Sequence, residues 1–149
     1  MRIFFKNIFK NKNAESDKKY INIIEPKIKE YHKIIKSKKT ISFLHYGHLG
    51  DIINCLPIIK ELSKEKVCNL FIQKNKEIPK HVVSRSHPFG EVYLSENSIR
   101  KMLPLLRNQK FINKVEIYND EKIDIDLNFF RELPINFNID SVRWYFHLV

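Results

Sequence analysis

Asp51 is the residue whose neighbours best equip it for chemistry. It follows an apolar run, Ile41 to Tyr46, and a short loop with Gly47 and Gly50, and it stands where an amphipathic segment running to Leu62 begins. A strand feeding a glycine turn and a helix start is where α/β proteins gather functional groups. A fixed carboxylate at such a mouth suits a general base acting on a hydroxyl. The same position suits a helix cap, for which aspartate is favoured, and spacing alone leaves both roles open. Phosphate binding is disfavoured here, because the aspartate would occupy the free amides of the helix start and repel an anion. The third glycine of a dinucleotide fingerprint is missing, and no Gly-Lys-Ser/Thr triplet follows.

Other groups are weaker candidates. His45, His48 and Asp51 recur every three residues, but a strand followed by a loop does not hold such a set on one face, so no metal site is read there. Asp124-Ile125-Asp126 has the short Asp-x-Asp pattern of metal-dependent sugar transferases. The alternation of Ile123, Ile125, Leu127 and Phe129 with Asp124, Asp126 and Asn128 reads better as a strand with one apolar and one polar face. Arg85 and His87, beside the Pro88-Phe89-Gly90 turn, sit in a long loop. They are candidates to contact an acidic or phosphorylated ligand, with a solvated loop as the plainer reading. Trp144, Tyr145 and Phe146 read as core or as an interdomain face rather than as a sugar-stacking platform. Cys55 has no base near it in sequence, and no Ser/His/Asp order stands out, so nucleophilic catalysis has no support.

The elements that would position Asp51 follow from periodicity. Tyr20 to Ser37 carries Ile23, Ile24, Ile28, Tyr31, Ile34 and Ile35 at helical spacing, with Pro26 marking the first turn. The spacing predicts a strand over 41–46, a helix over about 52–64 and a strand over 67–72. Residues 73–90 form a longer connection that could contain a short strand at His81 to Val83, and Val92 to Leu94 is a short apolar run. Ser95 can cap a helix to about Arg107 that Pro104 interrupts. Strands are predicted over 115–118 and 123–129, and Asp140 or Ser141 can cap a last helix. Strands alternating with helices indicate an α/β, Rossmann-like parallel sheet covered on both faces.

The 149 residues suffice for one domain with a real core, and a hydrophobic content of 43% is ordinary for a globular chain. No apolar run approaches the roughly 18 residues that span a bilayer. No secretory signal is evident, and two cysteines are too few for a disulfide framework, which points to the cytoplasm. The formal charge of +10 is uneven: the first forty residues hold twelve Lys or Arg against four acids, and the remainder fifteen against thirteen. A nearly neutral globular part argues against a nucleic-acid groove. Residues 1–19 read as a basic extension and linker, and 20–149 as the domain. Within the extension, Met1 to Lys12 sets Ile3, Phe4, Phe5, Ile8 and Phe9 among Arg2, Lys6, Lys10 and Lys12. That pattern suits peripheral contact with the inner membrane face, or a helix packed on its own domain. Val142 to Val149 stops without a capping signal, as a polypeptide would that ends inside a larger architecture.

Gly50-Asp51, four residues, then Leu56-Pro57 with Ile58, Ile59, Lys60 and Leu62, just after the first strand, resembles the start of heptosyltransferase-like glycosyltransferases of family nine, which have the GT-B architecture. Leu105 to Tyr118 and the later Arg143-Trp144-Tyr145-Phe146 are similar to the N-terminal domain of such enzymes. The resemblance implies that Asp51 deprotonates an acceptor hydroxyl, that Gly50 makes the tight turn, and that Gly47 and His48 line the same loop. It implies transfer from a nucleotide-sugar to a glycan or glycolipid in cell-surface glycan biosynthesis, without metal or cofactor. The basic extension departs from the family pattern. The second, donor-binding domain of that architecture has no counterpart in 20–149, so a separate donor-domain polypeptide is the implied partner. A non-catalytic binding module that keeps the fold is the competing expectation.

Overall fold

Residues 18–79, 91–134 and 140–149 are described by the computed structural model. The extension Met1 to Lys12, the expected short strand at His81 to Val83, and the candidate residues Arg85 and His87 lie outside the described residues.

Strands β1 (Thr40–His45), β2 (Val67–Ile72), β3 (Lys114–Ile117) and β4 (Ile125–Asp126) form one parallel sheet in the order β3-β2-β1-β4. Helices α1 (Glu25–Ser37), α2 (Leu49–Leu62) and α3 (Glu96–Arg107) flank it, and a short helix α4 (Ser141–Phe146) follows. The architecture is α/β and Rossmann-like. Along β1 the register sets Thr40 opposite Val67 and His45 opposite Ile72 on one side, and Phe43 opposite Ile125 on the other. The chain therefore steps outward from β1 to β2 to β3, then returns to place β4 on the far side of β1. This reversal is a topological switch point, and in open α/β sheets ligands collect beyond the strand C-termini at such points.

Local chemistry explains the elements. Pro26 sits in the first turn of α1, where its missing N–H costs nothing. A single π-helical turn, Tyr20–Ile24, precedes it. The Ser95 hydroxyl accepts the Ser98 N–H at 3.2 Å and starts α3. Helix α3 then runs through Pro104 without interruption, contrary to the sequence expectation, as α2 runs through Pro57. Each proline frees the carbonyl four residues earlier, at Arg100 and Ile53, and both of those residues are exposed, so water can satisfy the group. Ile41, Phe43, Ile52, Ile59, Leu70 and Ile99 are fully buried and tie β1 and β2 to α2 and α3. Each such side chain contributes about 1.5–3 kcal/mol by leaving water.

Two boundaries differ from expectation in ways that shape the site. Helix α2 begins at Leu49, three residues before the predicted start, because His48 serves as its N-cap. The strand predicted over 123–129 is reduced to Ile125–Asp126, and Leu127–Glu132 is a 3-10 helix. Asp126 causes the change: its carboxylate accepts the Asn128 N–H at 2.9 Å and caps the turn, ending the extended backbone.

Candidate active site

The loop after β1 is folded by a chain of buried hydrogen bonds. Gly47 N–H donates to His45 Nδ1 at 2.9 Å, which places the imidazole proton on Nε2. Nε2–H in turn donates to the Tyr145 hydroxyl at 2.9 Å, and that hydroxyl donates to the Asp51 carbonyl at 3.0 Å. Burial, and secondarily the Arg131 charge, hold the His45 imidazole far below its ordinary range, at about 3. Burial pushes the Tyr145 phenol strongly upward, with Cys55 and Asp51 adding to it. Both groups are neutral parts of a structural clasp. His45 is thus a buried strand residue that fixes the loop through both ring nitrogens. Among the described residues no group of three or more His, Cys, Asp or Glu is arranged to hold a metal ion.

Asp51 occupies the third position of α2, and the capping role is part of its geometry. Its Oδ2 reaches back to accept the His48 N–H at 3.1 Å, and the His48 ring closes the box on the Asp51 amide. The same Oδ2 meets Arg131 Nη2 at 3.0 Å. Neither of these contacts uses Oδ1. The two side chains are only about a quarter exposed, 24% for Asp51 and 27% for Arg131.

Gly47 and Gly50 play different parts. A Cβ built on Gly47 would stand 2.6 Å from Asp51 Oδ2 and 2.7 Å from His45 Cε1, so the loop closes only over a residue without a side chain. A Cβ on Gly50 meets nothing within 4 Å. The resemblance implies a tight turn at Gly50; the close approach seen here is at Gly47, while Gly50 lies in the first turn of α2 with room for a side chain.

Arg131 was not singled out by the sequence. It enters through the 3-10 turn after β4 and is held by Asn128, which is buried. Asn128 Oδ1 accepts from Arg131 Nη1 at 3.1 Å and from the Tyr46 N–H at 3.1 Å, while its amide nitrogen donates to Asp126 at 2.6 Å. The guanidinium also lies against aromatic rings, 4.5 Å from the Phe130 centroid, 5.5 Å from Tyr93 and 5.8 Å from Tyr46. His48 packs edge-on to Tyr93, with centroids 5.0 Å apart. The usable signal was Asp126 as a cap ahead of Asn-Phe-Phe-Arg-Glu, which the apparent alternation of the segment concealed.

Beside this cluster lies a cleft of about 530 Å³, lined by Tyr46, Lys76, Tyr93, Asn128 and Arg131 among others. Asp51 is not in its lining; Arg131 stands between the two. Of the residues read from sequence, the fold brings Gly47, His48, Gly50 and Asp51 together. Asp124 and Asp126 do not form a metal pair: Asp124 binds Lys38 and the Ser42 N–H, and Asp126 caps its turn. Tyr145 is core, Trp144 stacks on Phe130 at 5.4 Å, and Phe146 is exposed. No protein-family model, curated protein or solved structure matches the chain.

Proposed function

We propose that this chain is the acceptor-side domain of a glycosyltransferase, with Asp51 as the base that takes the proton from an acceptor hydroxyl. One observation carries the reading: a carboxylate fixed at the switch point of a Rossmann-like sheet and gripped by Arg131, which lines a cleft. In the reaction the acceptor oxygen attacks the anomeric carbon of a nucleotide-sugar, its proton passes to Asp51, and the nucleoside diphosphate departs with the electron pair of the broken bond. The donor is held by a second domain of the same architecture. The acceptor is a glycan or glycolipid hydroxyl.

The test is a comparison of ligands by amide NMR on the 149-residue chain. Simple glycosides are expected to perturb Tyr46, Gly50 and Asp51, whereas an uncharged nucleoside leaves that loop unmoved. Binding of the nucleoside at the loop would overturn the acceptor-side reading.

A second reading is favoured by the engagement of Asp51 Oδ2 with both His48 and Arg131. On it, the carboxylate is structural, and the domain binds a glycan without transferring a sugar. In the chain combined with a donor domain, Asp51→Asn separates the two. The base role expects transfer to fall by roughly a hundredfold or more with the fold retained, and the binding module expects no transferase activity in either form.

A further inference from the structure

Arg131 reaches from the cleft to Asp51. Its side chain lines the 530 Å³ cleft, and the same guanidinium grips Asp51, which lies outside that lining. A guanidinium carries five N–H donors, and Asp51 and Asn128 each take one of them. Donors therefore remain for a group entering the cleft.

Two cationic side chains of the cleft wall, Lys76 and Arg131, offer donors to an oxyanion in that position. The same lining contains three carboxylates: Asp126 accepts hydrogen bonds from Asn128 and keeps its charge, and Glu132 is paired with Lys19 at 2.7 Å. Glu77 is exposed, at an isolated antiparallel bridge to Val92, and its charge competes with an incoming anion for Lys76. Lys76 leans over the Tyr46 ring at 5.6 Å from its centroid, and Arg131 lies 5.8 Å from the same centroid. Two cations are thus gathered around one tyrosine at the cleft wall. Among the described residues, no ion pair engages Lys76.

We propose that this cleft is an oxyanion site, in which Lys76 and Arg131 receive a ligand carboxylate or phosphate, and that Arg131 couples its occupancy to Asp51. A ligand anion and the Asp51 carboxylate draw on one guanidinium and repel each other, so each weakens the hold of the other. An anionic ligand in the cleft then loosens Arg131 from Asp51 and leaves Oδ2 with the His48 N–H alone. This deepens the function proposed above by giving the acceptor a negative charge. Its test is binding by the chain alone, so its failure leaves the transfer reading standing, and a failed transfer assay leaves this site standing.

The coupling must be reciprocal. Removing the charge of Asp51 has to tighten anion binding. Asp51→Asn keeps an oxygen for the His48 N–H and discards the competing charge. Calorimetric or NMR titration of the full chain uses methyl phosphate and acetate as probes, with methyl glucoside as the uncharged control. The expected result is saturable binding of at least one anion, stronger than that of the glucoside. Asp51→Asn should bind it roughly fivefold or more tighter, and Lys76→Met about tenfold weaker. A preference for methyl phosphate or for acetate supports the site in either case and identifies the group it takes. Absence of saturable anion binding overturns the proposal, as does unchanged or weaker affinity in a natively folded Asp51→Asn. If that variant loses its native spectrum, Lys76→Met decides: an affinity equal to that of the unmutated chain overturns the proposal.

Discussion

A methyl group at Gly47 has no room, because its two nearest neighbours are side chains already held by hydrogen bonds. Gly47→Ala must therefore move His45 or Asp51, and overpacking of this kind costs about 1–3 kcal/mol. Gly50→Ala meets open space within the first turn of α2, so stability should hold or rise by up to about 1 kcal/mol. Urea denaturation midpoints of the two variants check both outcomes. If Gly50→Ala is stable yet binds glycosides more weakly, the open space belongs to the ligand. His45 gives a pH prediction. Its imidazole titrates near 6.5 when unfolded and at about 3 when folded, so the unfolded chain binds more protons between those values. The contribution of neutral His45 is present above pH 6.5 and is lost as the pH falls toward 3. Measured against His45→Gln, the unmutated chain should lose more stability between pH 7 and pH 4.5. Equal losses in the two proteins would remove His45 from the account.

At the scale of elements, α4 closes the site through one hydroxyl. Tyr145→Phe leaves the ring in place but strips a partner from the fully buried His45 Nε2–H and one from the part-buried Asp51 carbonyl. The expected cost is about 1–3 kcal/mol, read from thermal or chemical unfolding. The sequence revealed the elements that announce themselves by period or cap. Val67 to Ile72, the Ser95 cap and the Asp140 cap were legible because each depends on residues within a few positions. Asp51 and its glycines were legible for the same reason. Arg131 was not, since its importance arises from the return of β4 beside β1, a pairing between segments some eighty residues apart. The 123–129 segment misled because its alternation of apolar and acidic residues fits a strand, while the capping bond of Asp126 to Asn128 turns the backbone inside it. His45 likewise showed only an apolar-run context, and its partner Tyr145 lies a hundred residues away.

For the whole molecule, the two thiols report on global opening. Cys55 is completely buried, and its thiol is pushed far upward by burial, with the Asp51 charge adding to it. Burial raises Cys68 to about 11. Neither should react with a thiol reagent while the fold is intact, and both should react at the rate of unfolding as denaturant is added. Fast labelling of either one in the native protein would show that its part of the core opens locally. No helix among the described residues is long and apolar enough to cross a membrane. The brevity of β4 has a consequence for how this molecule can be approached. Among the described residues it is the outer strand beside β1, yet only Ile125 and Asp126 pair before the backbone winds into a 3-10 turn. Two residues are too few to template an added strand from another chain. Whatever meets the protein on that flank must recognise the side chains of the turn, so the molecule is guarded there against edge-to-edge aggregation.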